Sequence, residues 1–287
     1  MSPDGRPANG DNHGSLPGGG GKHVHGGVLV SLIALEYHDV VRERWWDESG
    51  FPGPAAATYK LSVERFAAHL EALSNARVPV TASMPGNARV PGVVLTFDDG
   101  GVGYLTHAAD LLEQHGWRGV VFMTTSRIDK PGFLSGRDLR ALRDRGHVIG
   151  SHSRNHPPRM SALPPADIDA EWRTSLSDLQ DVLGNAVTVA SVPGGYHSRR
   201  VAELAAANGI TTLFTSEPEA RIRLVDGCRV VGRFTLRSAS TPDYAARLVG
   251  PSPVTRTAQW AQWNAKKLAK AVGGKHYLRI RESILGR

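Results

Sequence analysis

The chain has 287 residues, which is long enough for one large α/β domain or two small ones. Its single cysteine, Cys228, excludes an internal disulfide and any metal cluster built from several cysteines. The formal net charge is +7, and no apolar run approaches the roughly 20 residues that a membrane-spanning helix needs.

The first segment, 1–27, is rich in Gly, Pro, Asn and Asp. The consecutive glycines at 18–21 cannot bury enough surface to offset their ordering entropy, so we predict a disordered tail over 1–27. This segment also lacks the apolar core of a signal peptide. We therefore expect a cytoplasmic protein, with any membrane contact peripheral and on the inner face.

Short apolar runs alternate with helical patterns along the rest of the chain. Strands are predicted over 28–35, 78–80, 93–97, 119–123, 148–151, 187–191, 210–215 and 229–234. Helices are predicted after the N-caps Ser62, Ser135 and Ser198, from residues 241–242 onward, and over 105–114 and 167–183. This alternation predicts βαβ units with a mainly parallel sheet, and about seven repeats favour a closed or nearly closed barrel.

The predicted barrel domain covers 28–250, and 251–287 is predicted to be a basic helical extension. The extension holds a group of basic residues: Lys266, Lys267, Lys270, Lys275, Arg279, Arg281 and Arg287. One interpretation is a solvated helical face, and the other is peripheral contact with an anionic membrane, where lipid-linked sugars reside. Nucleic acid is not expected, because no recognised binding motif accompanies the charge. The sequence identifies no protein partner.

Two polar clusters stand where apolar runs end. They are residues 96–100, Thr-Phe-Asp-Asp-Gly, and residues 151–156, Ser-His-Ser-Arg-Asn-His. One carboxylate with two imidazoles is a ligand set that holds a divalent metal and leaves a position open for water. The carboxyl ends of parallel strands converge on one face of a barrel, so these groups can meet there, and the second carboxylate is free to move protons. The clusters therefore indicate a metal-assisted hydrolase.

Local geometry limits how these clusters can meet. Neighbouring side chains of a strand point to opposite faces, so both aspartates reach one site only if the chain turns at Gly100 and Gly101. The prolines at 157–158 disfavour a helix at His156, which predicts a turn that folds back. The alternative interpretation is that the two aspartates cap the next helix and that the histidines are ordinary loop or core residues.

These clusters resemble the first two signature motifs of the polysaccharide deacetylase family, which includes the NodB-type enzymes and is also classed as carbohydrate esterase family 4. Residues 37–40, Tyr-His-Asp-Val, resemble the first-strand motif of its exopolysaccharide-associated branch. The resemblance extends from about residue 28 to about residue 234. It implies a distorted (β/α)7 barrel of the NodB-homology type.

The same resemblance implies a role for each group. Asp98 is the general base, and Asp99, His152 and His156 are the ligands of one divalent metal ion. The metal is Zn²⁺ in most such proteins, with Co²⁺, Fe²⁺ or Mn²⁺ in some. The implied reaction removes an N-acetyl group from an amino sugar in a polysaccharide, a lipid-linked precursor or a glycosylated metabolite.

The third family motif, Arg-x-Pro followed by an aromatic residue, is altered. Residues 191–196 read Ser-Val-Pro-Gly-Gly-Tyr, so the arginine that would orient the base is absent and the aromatic residue is displaced to Tyr196. A backbone N–H near Gly194 or Gly195 is a candidate donor to the oxyanion. A plain strand-to-helix turn is the alternative.

The last family motif, Leu-x-His, is also altered, because residues 233–237 contain no histidine. The general acid is therefore unassigned. His38, at the end of the first strand, is one candidate for the general acid, and Glu217 is a second. The alternative for His38 is a structural role, with its imidazole hydrogen-bonded to a loop.

The two altered motifs leave two other functions open. One is a metal-binding barrel without turnover that binds carbohydrate, and the other is the same chemistry on another small amide, such as a formamide or a ureide ring.

Overall fold

The computed structural model of the protein describes residues 32–82, 92–195 and 197–267. The strands are β1 (Leu32–Tyr37), β2 (Val40–Val41), β3 (Leu61–Ser62), β4 (Gly92–Phe97), β5 (Val120–Met123), β6 (Val148–Ser151), β7 (Val189–Ser191), β8 (Thr212–Thr215), β9 (Arg223–Val225) and β10 (Cys228–Thr235). The helices are α1 (Pro54–Ala57), α2 (Val63–Asn75), α3 (Ala109–Gln114), α4 (Gly136–Asp144), α5 (Pro165–Leu183), α6 (Arg199–Ala207) and α7 (Pro242–Val249). Helical backbone also runs over 254–267. The predicted tail over 1–27, Tyr196 and the basic residues from Lys270 onward lie outside the described residues.

The main sheet closes into a barrel. Its strand order is β1-β4-β5-β6-β7-β8-β10-β9, and β10 also pairs with β1, where Ala34 lies opposite Arg233. Every pairing around this ring is parallel. Only β9 is antiparallel, and it pairs with the first residues of β10, whereas the last residues of β10 pair with β1. The distorted (β/α)7 barrel predicted from the sequence is confirmed.

Helices cover the outside of this barrel, and their starts follow from local sequence. The predicted N-caps Ser62, Ser135 and Ser198 are confirmed, since each side chain accepts a hydrogen bond from the backbone N–H three residues on. Thr241 caps the helix predicted from residues 241–242 in the same way. A cap of this kind contributes about 1 kcal/mol to helix stability. Within the described ranges, no helix combines the length and apolar composition needed to cross a lipid bilayer.

Some predicted elements were wrong. Residues 78–80 do not form a strand, and Val80 makes only an isolated parallel bridge to Val93. Pro79 interrupts the pairing because it has no N–H, although its carbonyl accepts from the Val93 backbone at 2.8 Å. The short strands β2, β3 and β9 were not predicted, since two or three residues are too few to show periodicity. The helix predicted over 105–114 begins as a π-helical turn, Tyr104–Ala108, before α3.

Alternation along the barrel strands sorts the interior into layers. The lower layer is an apolar cluster: Leu32, Ala34, Val94, Val120, Phe122, Phe214 and Val231. The rings of Phe122 and Phe214 lie 5.4 Å apart and form its floor. Gly150 leaves room for this packing, because a Cβ there would lie 2.5 Å from the Phe122 ring. The next inward positions, two residues further along the strands, are polar and lie at the carboxyl ends.

Candidate metal centre and proton-transfer groups

The polar layer above the aromatic floor is built from one or two residues of each strand. Its buried members include Glu36 after Ala34 on β1, Thr96 after Val94 on β4, and Arg233 after Val231 on β10. Asp98, His152 and Ser191 continue the same inward positions at the ends of β4, β6 and β7, and all three are buried. Every second residue of each strand points into the barrel. This alternation fills the lower layer with apolar side chains and brings the polar groups together above it.

The two neighbouring aspartates reach the same site because the chain turns between them. Asp98 still belongs to the sheet, with its backbone N–H donating to the Tyr37 carbonyl at 3.1 Å. Asp99 adopts a left-handed φ of 75°, and Gly100 follows at 81°. A Cβ on Gly100 would collide with the Met123 side chain, so only glycine fits there. The turn therefore begins one residue earlier than the sequence predicted, at Asp99 itself.

Asp99, His152 and His156 form one cluster. Asp99 Oδ1 lies 3.5 Å from His152 Nε2 and 3.4 Å from His156 Nε2, and the two imidazole centroids are 5.0 Å apart. His156 has a φ of 54°, which confirms the predicted turn before the prolines. The three ligand atoms lie within 4.8 Å of one another. One carboxylate and two imidazoles at this spacing suit a divalent metal with an open coordination position.

Buried polar atoms in this cluster also fit a cation. Asp99 Oδ1 is buried and has no hydrogen-bond partner among the described residues. His152 Nδ1 lies 2.5 Å from Ser191 Oγ, and Ser191 Oγ donates to Asp98 Oδ1 at 3.0 Å. This arrangement assigns the imidazole hydrogen to Nδ1 and leaves the Nε2 lone pair facing Asp99. Burial lowers the pKa of His152 to about 4, so the ring is neutral near pH 7, as a metal ligand must be.

Asp98 is held by a buried arginine. Arg233 donates from Nη1 to Asp98 Oδ1 and from Nη2 to Asp98 Oδ2, both at 2.7 Å, and its Nε donates to the Thr215 carbonyl at 3.2 Å. Burial alone would raise the pKa of the Asp98 carboxyl, but the Arg233 guanidinium and the nearby His152 outweigh it and hold that pKa below its usual range. The expectation that no arginine orients the base was wrong: β10 supplies it in place of the third motif.

A second carboxylate lies beside the arginine. Glu36 accepts hydrogen bonds from Ser216 Oγ at 3.1 Å and Thr235 Oγ1 at 2.9 Å, and its Oε2 lies 3.8 Å from Arg233 Nε. His38 Nε2 lies 4.0 Å from Glu36 Oε1. The ligand atoms of Glu36, His38 and Asp98 lie within 4.8 Å of one another. The structure therefore places His38 next to the proposed base.

The other predicted residues lie around the rim. Gly194 and Gly195 both have positive φ, at 67° and 68°, and follow β7 after Val192 and Pro193. Glu217 is engaged by two cations, since Arg223 Nη2 donates to it at 2.5 Å and Lys267 Nζ lies 3.3 Å away. Burial would raise the pKa of Glu217, but these cations lower it, which does not suit a group that must hold a proton.

Sequence reasoning missed four residues of this site: Arg233, Glu36, Ser191 and Phe51. The Phe51 ring lies 5.0 Å from that of His156 and covers this imidazole from the first loop, residues 42–53. A charged residue inside an apolar strand was the available signal for Arg233 and Glu36, because a buried charge needs a partner. No comparable signal marks Ser191 or Phe51.

Parts of the chain resemble known proteins. A family model for polysaccharide deacetylase matches residues 86–213. The chain is 25% identical over 131 residues to YxkH of Bacillus subtilis, which is named as a polysaccharide deacetylase. It is 35% identical over 74 residues to the peptidoglycan-N-acetylmuramic acid deacetylase PdaA of the same organism. These matches cover 46% and 25% of this chain, and the chain spans only 47% and 26% of the two relatives.

Solved structures share the fold at low identity. A polysaccharide deacetylase from Bacillus cereus superposes with a TM-score of 0.65 at 18% identity, covering 76% of this chain and 69% of that one. The Streptococcus pyogenes deacetylase PplD gives 0.61 at 17%, covering 77% and 99%. IcaB from Ammonifex degensii gives 0.61 at 21%, covering 77% and 97%. At these identities the comparison shows the barrel alone.

Proposed function

We propose that this chain, which belongs to the polysaccharide deacetylase family, is a metal-dependent hydrolase that removes an N-acetyl group from an amino sugar. The amino sugar is part of a polysaccharide, a lipid-linked precursor or a glycosylated metabolite. The observation that carries the proposal is the pairing of two groups at one barrel end. The Asp99–His152–His156 cluster lies directly beside Asp98, an ionised carboxylate fixed by Arg233.

Asp99, His152 and His156 would hold one divalent ion, and we propose Zn²⁺. The buried, unpartnered Asp99 Oδ1 and the neutral imidazole of His152 support this assignment. When bound, such an ion polarises an acetyl carbonyl and lowers the pKa of water from about 16 toward 7. Ser191 keeps His152 in the tautomer that presents Nε2 to the site.

Asp98 acts as the general base. Its low pKa keeps it ionised near neutral pH, and Arg233 fixes both carboxylate oxygens. In this orientation Asp98 accepts the proton of the water that attacks the amide carbon. The backbone N–H groups near Gly194 and Gly195, with Tyr196, are the proposed donors to the oxyanion that forms on the acetyl oxygen.

His38 donates the proton to the leaving amine. Three features support this role: its place at the end of β1, the neighbouring Glu36 carboxylate, and its short separation from Asp98. The ring also packs against that of Tyr59 in a tilted arrangement, with centroids 4.7 Å apart, which restrains its orientation. Glu217 is set aside as the acid because Arg223 and Lys267 stabilise its charged form.

The test is acetate release from a panel of N-acetylated sugars, measured before and after chelation and after Zn²⁺ is restored. We expect release that chelation abolishes and Zn²⁺ restores, and Asp98→Asn that binds Zn²⁺ without turnover. Zinc binding with no acetate release across the panel favours a carbohydrate-binding barrel without turnover. Metal-dependent release from a formamide or ureide but not from sugars favours another small amide as substrate.

We also propose that the basic C-terminal segment contacts an anionic membrane that presents a lipid-linked substrate. Lys267 Nζ lies 3.3 Å from Glu217, which places the end of the helical segment 254–267 at the barrel rim. Lys266 is exposed at this end, and its positive charge supports the proposal. Binding to vesicles with anionic lipid is expected to weaken steeply as salt is raised. Binding that is absent, or insensitive to salt, contradicts the contact.

A further inference from the structure

The segment 151–156 carries both imidazoles of the metal cluster in a backbone conformation that is unfavourable by itself. Ser153 and His156 have φ of 63° and 54°. This left-handed region is disfavoured for residues with a Cβ, and they keep it only where surrounding contacts hold them. Within the segment, the Ser153 N–H donates to Ser151 Oγ at 3.1 Å, and the His156 N–H donates to Ser153 Oγ at 3.2 Å. Further contacts come from helix α5.

Helix α5 presents a line of polar side chains toward this segment. Glu171, Ser175 and Asp178 follow one another at intervals of four and three residues, so they lie on one face of the helix. Among the buried residues of α5, Ser175 alone is polar. We call these three side chains the α5 stripe. Each member contacts a different residue on the metal side of the barrel.

Glu171 holds the residue that precedes His156. Asn155 donates to its carboxylate twice, from the backbone N–H at 2.8 Å and from Nδ2 at 2.7 Å. Two hydrogen bonds to one carboxylate fix the orientation of a residue as well as its position. One peptide unit joins Asn155 to His156, so the direction of the His156 ring depends on how Asn155 is held. Glu171 therefore acts on the metal site through Asn155.

The other two members of the α5 stripe hold the beginning and the middle of the segment. Ser175 Oγ lies 2.6 Å from Ser151 Oγ, and both residues are buried. Asp178 accepts from Thr125 Oγ1 at 2.7 Å. The Thr125 backbone N–H in turn donates to the Ser153 carbonyl at 3.2 Å. Contacts with the stripe therefore extend along the whole segment.

We propose that the α5 stripe positions the metal ligands, with Glu171 as the positioning residue for His156. The stripe holds residues 151–156 in their left-handed turns before an ion arrives, so less freedom is lost when the ion binds. None of the three side chains belongs to the ligand cluster, and each acts through the segment. The inference rests on the proposed function, because it assigns a role toward the metal of that same site.

The test reverses the charges of the Asn155–Glu171 pair while keeping its shape. Asn155→Asp sets two carboxylates against each other, and their repulsion displaces residue 155. We expect the dissociation constant for Zn²⁺ to rise about tenfold, the lower end of the effect of residues that orient metal ligands. Without a positioning role, a negative charge added beside His156 would attract the cation and lower this constant. Competition with a chelator measures the direction and the size of the change.

The double variant Asn155→Asp with Glu171→Gln restores the pair in reverse. Its glutamine amide donates to the new carboxylate, and its carbonyl accepts from the backbone N–H of residue 155. We expect its affinity for Zn²⁺ to return to the wild-type value. Tighter or unchanged Zn²⁺ binding in Asn155→Asp, or no recovery in the double variant, overturns the positioning role.

Asn208→Asp is the matched control on the same helix. Asn208 Nδ2 donates to Asp169 Oδ1 of α5 at 2.8 Å, at the end of α6. This substitution also sets two carboxylates against each other, so we expect a lower melting temperature with unchanged affinity for Zn²⁺. An equal loss of Zn²⁺ affinity in Asn208→Asp would mean that general destabilisation causes the effect, and it also overturns the positioning role.

Hydrogen exchange of the metal-free proteins separates this inference from the proposed function. The amides of residues 151–156 are expected to exchange faster in Asn155→Asp and at the wild-type rate in the double variant. If the wild type binds Zn²⁺ but releases no acetate, the proposed function fails and the affinity test still decides the inference. If it binds no Zn²⁺, the exchange rates decide it: faster exchange in Asn155→Asp alone supports the α5 stripe, and equal rates in all variants overturn it.

Discussion

The two halves of the barrel mouth are built differently. On the metal half, Asp99 and His156 have positive φ, and the ligands fall within two short segments after β4 and β6. On the proton-transfer half, Glu36 and Arg233 are single inward-facing residues of regular strands β1 and β10. Ligands of one ion must converge from several directions, which requires turns, whereas a buried ion pair needs only inward-facing positions on strands that lie close together in the barrel. Only the metal half therefore leaves a contiguous motif in the sequence.

The largest expected effect is the loss of Zn²⁺ binding, which tests the metal ligands separately from the proton-transfer groups. We expect His152→Ala to abolish Zn²⁺ binding and turnover together, because one ligand is lost. Ser191→Ala keeps all three ligands but removes the hydroxyl that orients His152, so the affinity for Zn²⁺ is expected to fall about 10–100-fold. Metal titration against a competing chelator measures both. Wild-type affinity in His152→Ala contradicts the ligand assignment.

The next effect concerns the ion pair on the other half. Arg233 and Asp98 are 0% and 2% exposed, so Arg233→Met leaves a buried carboxylate without its partner. We expect the free energy of unfolding to fall by about 3–5 kcal/mol at pH 7. Urea denaturation of the metal-free proteins measures it. Arg237→Met, an exposed arginine on the same segment, is the control and is expected to change stability by less than about 0.5 kcal/mol.

The pH dependence of the free energy of unfolding tests why Arg233→Met is less stable. Because Arg233 holds the pKa of Asp98 below its usual range, the pair stabilises the fold above the unfolded value near 3.9. That stability is lost only as the pH falls through the lower folded value. Without Arg233, burial raises the pKa of Asp98 and the carboxyl is protonated more readily. The deficit of Arg233→Met is therefore expected to be larger at pH 7 than at pH 4, and an equal deficit at both would indicate lost packing alone.

The same contrast explains what the sequence predicted. The parallel barrel and the grouping of Asp98, Asp99, His152 and His156 were predictable, because periodicity and contiguous motifs carry them. The pairing of Arg233 with Asp98 was not, since it depends on which strands close the barrel and on their register. Phe51 is harder still, because its position depends on how the first loop packs on the finished barrel.

Asp39 lies where the two halves meet. It follows His38, and its carboxyl packs beneath the β4 turn against Gly50 and Gly101. Burial raises the pKa of Asp39 to about 6, against the opposing effects of Ser49 and Lys60. The pKa of Asp39 is therefore higher in the folded than in the unfolded chain. This carboxyl stabilises the fold fully below the unfolded pKa near 3.9, and the stabilisation is lost as the pH rises through about 6.

Asp39→Asn is therefore expected to flatten the stability profile between pH 4 and pH 7. The variant gains up to about 3 kcal/mol over the wild type across this window, because an amide pays no ionisation penalty in the buried site. Urea titrations at several pH values measure the difference. Asp47→Asn, on the exposed part of the first loop, is the control. A constant difference between Asp39→Asn and the wild type at all pH values contradicts a buried carboxyl that titrates.

The smallest expected effect concerns the acid. Glu36→Gln keeps an acceptor for the Ser216 and Thr235 hydroxyls but removes a negative charge 4.0 Å from His38. An acid that donates a proton to the leaving amine then lacks the neighbouring negative charge, so we expect kcat/KM to fall about tenfold over the pH–rate profile, including its basic limb. His38→Ala is expected to remove that limb, and Glu48→Gln, the same change on the first loop, to leave it in place. An unchanged profile in His38→Ala would assign the acid to another group and would leave the assignment of the metal ligands as it is, because His38 is not one of them.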